Sequence, residues 1–254
     1  MNVIENKIIA LIKNKDSILL DYYLSNNNFN IYFKDELGRN ILHYFILYYD
    51  INYLSILKKH WNLLKDLINK KDNSNISVLH YCCLLENEDL LTFLLSEPTI
   101  NVNALDNTLS SPLHLLFEKN KSLNFIKLFL NLSNKINISL KNGFHENILH
   151  LTLKNKHAIQ ESKFILSTFP FLAKEKTLSN TNMFLYSTKY KTHHYFISHF
   201  LSLNISPFEY NDKNENAYMY LNEEDIQQIA LFEENEIYSL LNNEDATKKE
   251  IERL

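Results

Sequence analysis

Ten histidines and two neighbouring cysteines are the residues of this 254-residue chain best equipped for chemistry. In ISVLHYCCLL, 76 to 85, His80 stands two residues ahead of Cys82 and Cys83. An imidazole beside a thiol can act as base and nucleophile, and the three together could ligate zinc. THHYFISH, 192 to 199, gathers His193, His194 and His199 but lacks the pair of histidines four apart, with a nearby Glu, that marks a helical metal site. Nucleic-acid binding would want clustered Lys and Arg among aromatics, and TKYKTHHYF is the one faint example in a chain with two arginines. Gly38 and Gly143, the two glycines, are too far apart to form a phosphate-cradling loop.

What must position these residues is a repeated element, because the phrase around His80 recurs. NILHYF at 40 to 45, SVLHYC at 77 to 82, SPLHLL at 111 to 116 and NILHLT at 147 to 152 carry His43, His80, His114 and His150 at steps of 37, 34 and 36. Units without the histidine extend the period: NKIIAL at 6 to 11, NMFLYS at 182 to 187 and NAYMYL at 216 to 221, with Leu185 and Met219 at the histidine position of the last two. Each phrase opens on Asn or Ser, namely Asn6, Asn40, Ser77, Ser111, Asn147, Asn182 and Asn216, residues that cap helix N-termini. Five positions earlier, from the second unit on, stand Asp35, Asp72, Asp106, Asn142, Thr177 and Asn211, which suit a turn leading into the cap. A second apolar-periodic stretch follows each phrase, as in YLSILKKHW, DLLTFLL, FIKLFLNL, ESKFILSTF, YFISHFLSL and IQQIALFEE. Each unit therefore reads as turn, helix, helix, loop. A pair of helices of about 34 residues cannot bury both apolar faces alone, so neighbours must stack into one core.

At these residues the sequence resembles the ankyrin repeat family, in degenerate form. SPLHLL sits close to the family phrase Thr-Pro-Leu-His-x-Ala, DELGRNILHY at 35 to 44 retains the turn Asp and Gly, and INVNALD at 100 to 106 is similar to the family's inter-repeat hairpin. Proline after the cap survives at Pro112 alone, and the family's helix-ending glycines are absent. The resemblance implies an all-α ankyrin-repeat α-solenoid of about six to seven helix-turn-helix units with short hairpin-like loops. It places a capping repeat at 1–32, an array at 33–243 that is strong over 33–153 and degenerate over 154–243, and a polar C-terminal helix or tail at 244–254, all in one continuous domain. The leading residues and the last units are expected to turn polar outer faces to water. The resemblance also gives His43, His80, His114 and His150 a structural role, each hydrogen-bonding turn backbone within its own repeat. His80 is then claimed by the scaffold, and Cys82 fills the small-residue position as an apolar side chain. No catalytic residue, metal or cofactor is expected.

Partners of such arrays usually meet the concave surface of hairpin tips and first helices. Carried over, that surface comprises Glu36, Leu37, Arg39, Leu47 and Tyr48; Asn73, Ser74 and Ile76; Asn107, Thr108, Ser110 and Glu118; and Phe144 and Glu146. Tips are usually polar, so the apolar Leu37, Ile76 and Phe144 point to a protein interface, unless they tuck beneath the next hairpin. The expected function is non-catalytic protein–protein interaction, as an adaptor, scaffold or effector. Two other readings stay open: a structural or regulatory subunit of a larger complex, and an enzyme with its chemistry hidden in 154–254.

Charge and composition refine the expectation. The net charge is −4, yet residues 101 to 200 carry 12 Lys against 5 acids, whereas 211 to 254 carry 12 acids against 4 bases. The middle would attract an acidic partner protein and the end would repel one. The first twenty residues interrupt their apolar positions with charge, and no apolar run approaches the ~20 residues of a membrane span. Adjacent cysteines cannot form an ordinary structural disulfide, which fits a reducing compartment. These features favour a cytoplasmic or otherwise intracellular protein with no membrane insertion, no nucleic acid and no small-molecule substrate. Asn makes up about one residue in seven and Lys greatly outnumbers Arg, as in AT-rich genomes of intracellular bacteria, parasites and large viruses. That leaves room for an effector delivered into a host cell.

Overall fold

The repeat unit is built from its turn outward. In a computed structural model, which describes residues 3–26 and 29–241, Asp35 Oδ1 accepts the backbone N–H groups of Leu37 at 3.0 Å and Arg39 at 2.8 Å. Asp72 does the same for Ser74 and Ile76, Asp106 for Thr108 and Ser110, and Asn211 for Lys213 and Glu215. The residue three beyond the turn residue then takes a left-handed conformation: Gly38, Asn75, Leu109, His145, Asn180 and Asn214, with φ between 55° and 77°. One of these six is glycine, so the backbone geometry survives where the side-chain signature has been lost.

The caps follow. Asn40, Ser77, Ser111, Asn147, Asn182 and Asn216 are all N-caps with extended backbone, as their spacing predicts. Asn6 is different: it lies inside the helix Val3–Lys13 and is not its cap. The missing helix-ending glycines are replaced by Lys15, Glu86, Asn120 and Lys191, which adopt left-handed conformations between first and second helices.

The chain divides into two compact units, residues 1–143 and 144–254. In the first, α1 (Val3–Lys13), α3 (Ile41–Leu47), α6 (Val78–Leu85) and α8 (Pro112–Glu118) are the first helices of successive pairs. Their partners are α2 (Ser17–Asn26), α4 (Tyr53–Lys59) with the short α5 (Trp61–Leu64), α7 (Glu88–Leu95) and α9 (Leu123–Leu132). α1 packs on α3, α3 on α6 and α6 on α8, so that Ile41, Leu42, Phe45, Ile46, Leu79, Cys82 and Leu116 form a continuous core. Burial of each large apolar side chain contributes roughly 1.5–3 kcal/mol. In the second unit, α10 (Ile148–Leu153) and α12 (Met183–Lys189) are first helices, and a 3₁₀ turn at Ala217–Tyr220 takes that place in the last repeat. They pack with α11 (Ile159–Thr168), α13 (Ile197–Ser202) and α14 (Glu223–Leu241) around Leu149, Ile165, Phe184, Phe200 and Ile229. No β-strand forms among the described residues; one isolated bridge joins Lys71 to Ser77. The expected tail at 244–254 lies outside the described residues.

The leading repeat exposes Asn6, Lys7, Lys13, Asn14, Lys15 and Asp16, and with them the apolar Ile18, Leu19 and Tyr22 of α2, whose buried face is narrow, limited to Leu20 and Leu24.

Candidate protein-binding surface

The four repeat histidines belong to the frame. His43, His80, His114 and His150 are all buried, and each Nδ1 accepts the backbone N–H of its own cap, closing a capping box. In His43 and His80 this leaves the proton on Nε2, which donates to Ile76 O and to Ser110 O respectively, both at 3.2 Å. These carbonyls belong to the following turn, so the expectation of bonding confined to one repeat is too narrow: the ring also ties one repeat to the next. Burial pushes the pKa of both imidazoles down and keeps them neutral.

His80 is therefore unavailable as a base for Cys82 or Cys83. Both thiols are buried, and burial pushes their pKa values up, the reverse of an activated nucleophile. His193 is buried and bonded to Asp225 at 2.9 Å, while His194 and His199 are exposed. Among the described residues no group of three or more His, Cys, Asp or Glu could hold a metal ion.

The tips of the first unit are stitched into one row. Asn73 N donates to Leu37 O at 2.9 Å, Asn107 N to Ser74 O at 3.1 Å, and Gly143 N to Thr108 O at 2.8 Å. Asn73 Nδ2 also reaches Glu36 O, and Asn75 Nδ2 reaches Asn107 Oδ1. Each bond contributes about 1 kcal/mol net, but together they set the tip positions before any partner arrives. Gly38 is required here: at φ +77° a Cβ would also lie 2.2 Å from Asn73 Oδ1.

On this row Leu37 is 57% exposed and Ile76 half-buried. Glu36, Asn73, Ser74, Asn107, Thr108 and Glu118 are exposed, and Arg39 is partly so. Ser110 is 1% exposed, and its hydroxyl donates to Glu118 Oε1. Leu109, which sequence reasoning missed, is 51% exposed. Counting three residues beyond Asp106 would have found it, since the left-handed position turns its side chain outward.

The first helices carry the surface away from the tips. Tyr44 and Tyr48, four apart, stack at 6.0 Å with an interplanar angle of 11°, and Lys13 Nζ lies 5.5 and 5.7 Å from the two ring centroids. Tyr44 donates its hydroxyl to Asp35 Oδ2 at 2.7 Å, as Tyr81 does to Asp72, so these rings brace the turns of their own repeats. Burial and the carboxylate push the Tyr44 phenol up to about 12. Burial raises the pKa of Asp35, but the bonds from Tyr44 and Arg39 outweigh it and hold the carboxyl below its ordinary value. Where α1, α3 and α6 end, Lys15, Leu47, Tyr48, Tyr49, Leu85 and Asn87 line an open groove of about 400 Å³. Tips and groove sit at opposite ends of seven-residue helices, about 10 Å apart.

In the second unit Phe144 is 69% exposed, with Lys154 Nζ 5.9 Å from its ring centroid. Glu146 is buried instead: it accepts from Lys154 Nζ at 2.6 Å and from the Tyr186 hydroxyl at 2.7 Å. Ser110 and Glu146, both buried, thus drop out of the accessible surface.

Comparison with known proteins agrees with this geometry. Residues 8–106 match the sequence model of ankyrin repeats, in three copies. Over 104 residues the chain is 31% identical to the NAD-dependent deacetylase sir2B of Dictyostelium discoideum, a match covering 37% of this chain and 13% of that protein. Among solved structures, the ankyrin repeat protein EF0377 superposes with a TM-score of 0.62 at 16% identity, covering 74% of this chain and 95% of that one. The ankyrin repeat domain of Bcl-3, of the IkappaB protein family, superposes with a TM-score of 0.68 at 12% identity, covering 88% and 97%. No helix among the described residues is long and apolar enough to cross a membrane. The fold is that of an ankyrin-repeat solenoid, and residues 8–106 are similar to ankyrin repeats in sequence as well.

Proposed function

We propose that the chain is a non-catalytic interaction module, an adaptor, scaffold or effector acting inside a cell, that binds another protein through the tips and first helices of residues 1–143. Ankyrin repeats are in general protein-interaction modules, and the reading rests on one observation in particular. Leu37 and Leu109 stand in water on tips whose backbone is already fixed by hydrogen bonds. Apolar side chains on a preformed frame are suited to anchor a partner, because little ordering entropy remains to be lost. The groove lined by Leu47, Tyr48, Tyr49 and Leu85 offers a second anchor point. Phe144 is a separate candidate in the second unit. The domain limits proposed with this function are a leading cap at 1–32 followed by the array at 33–243.

The test is affinity purification of partners on the intact chain and on variants Leu37→Asp, Leu85→Asp and Leu109→Asp, with circular dichroism confirming the fold. Loss of one partner from all three variants supports the surface. Unchanged recovery from folded variants overturns it.

A further inference from the structure

The last repeat leaves uncovered what the repeat before it buries. After the cap Asn182, Met183 to Thr188 are all buried; after the corresponding cap Asn216, Ala217 is buried but Tyr218, Met219 and Tyr220 are exposed. The rings are not loose. Tyr218 packs 5.1 Å from the exposed Phe208 and donates its N–H to Pro207 O, and the Tyr220 hydroxyl donates to Glu215 Oε1 at 3.0 Å.

The described chain beside these aromatics is acidic in sequence: between residues 214 and 235 it has six acids and no Lys or Arg. Glu215 is already engaged by Lys189 at 2.5 Å, which with Asn211 and Tyr220 draws its carboxyl down to about 2. Glu223 and Glu224, three residues beyond the tyrosines, are exposed at the start of α14.

We propose that this aromatic and acidic face docks a basic, apolar-sided segment of a partner protein. Arg or Lys side chains would lie over the rings of Tyr218 and Tyr220 and against Glu223 and Glu224, with aliphatic side chains on Met219 and Phe208. Tyrosine faces and carboxylates attract the same cation, one through the ring quadrupole and the other through charge-assisted hydrogen bonds. The same carboxylates disfavour nucleic acid and anionic lipid. The proposal is independent of the surface in residues 1–143.

The experiment uses the full chain and a fluorescein-labelled peptide of alternating arginine and leucine pairs, with a counterpart carrying Glu for Arg, read by fluorescence anisotropy. Expected is binding of the arginine peptide alone, weakened about tenfold by Met219→Lys and by E223Q with E224Q, and unchanged by Leu37→Asp. The carboxamide pair preserves shape, so it decides the matter if Met219→Lys perturbs the circular dichroism. Equal binding of the two peptides, no binding, or wild-type affinity in the folded carboxamide variant overturns the proposal.

Discussion

Residues 1–143 and 144–254 solve the same problem with different side chains. In the first unit, three successive repeats use Asp at the turn and His at the third helical position, so that one imidazole closes its own cap and, from His43 and His80, holds the next turn. In the second unit His150 keeps this role toward its cap, but the two later repeats place Leu185 and Met219 there. Asn182 and Asn216 then cap alone, through Oδ1 to the N–H of those residues. Ties between repeats pass to ion pairs and polar pairs: Lys176 with Glu209, Lys189 with Glu215, Tyr186 with Glu146, and Thr192 with the carbonyl of Leu153. The turn backbone is kept in both, including the left-handed residue. Geometry is thus what the fold demands, and the histidine is one way of meeting it.

The largest expected effect comes from breaking the imidazole arrangement. His80→Leu leaves the buried N–H of Ser77 and the carbonyl of Ser110 without their partner, at about 1–3 kcal/mol for each unsatisfied group, or about 3 kcal/mol in all. Trp61, the single tryptophan, lies in the first unit with its ring 4.7 Å from Phe93, so its fluorescence during urea unfolding reports that unit. A cost below about 1 kcal/mol would show that the histidine is not what distinguishes the two units. Gly38→Ala is expected next, at about 2 kcal/mol, from a left-handed φ and a Cβ driven into Asn73. The same measurement checks it, and Asn75→Ala, which meets the φ penalty and loses the exposed bond to Asn107 but drives no Cβ into a neighbour, should cost less.

The contrast also explains what the sequence reveals. The Leu-His pairs, Asp turns and caps of 33–153 are visible because one residue does two jobs at a fixed spacing, and such a residue cannot vary freely. Asn182 and Asn216 remain legible as caps because helix starts still need an acceptor. What replaces the histidine is not legible: Lys189 and Glu215 lie 26 residues apart, and many other Lys–Glu pairs could serve as well. Candidate surface residues divide in the same way. Leu37 is readable as an apolar residue on a tip, whereas Ser110 and Glu146 are buried and bonded to Glu118, Lys154 and Tyr186, partners that no turn pattern specifies. The groove beside Leu85 is legible in part: Leu47 and Tyr48 follow from the repeat pattern, whereas Lys15, Tyr49 and Asn87, one from each of three repeats, do not.

Acid should separate the units in the same direction as His80→Leu, with a smaller effect. His43 and His80 have folded pKa values below the ordinary 6.5, so beneath that pH the unfolded chain takes up protons that the folded chain refuses. Their contribution is complete above pH 6.5 and is lost as pH falls toward their folded values, by at most about 1.4 kcal/mol per pH unit for each imidazole. The midpoint of the Trp61 transition in urea is expected to fall between pH 7 and 5. In His80→Leu that fall should be shallower, and an unchanged slope would mean that His80 does not titrate against folding.

The smallest effect has the opposite sign and joins scaffold to surface. Leu109 occupies a left-handed position at φ 58°, where the equivalent residues Asn75, Asn180 and Asn214 are the type that tolerates it. Its side chain is half in water and contributes little burial to offset the strain. Leu109→Asn is therefore expected to stabilise the first unit by about 1 kcal/mol in the Trp61 assay, without changing the turn that Asp106 holds. A destabilised variant would mean that Leu109 packs against the neighbouring tip more than its exposure indicates. If the stabilised variant also loses the partner recovered by the wild-type chain, the strain is retained for binding; if it keeps that partner, Leu37 alone anchors the tips.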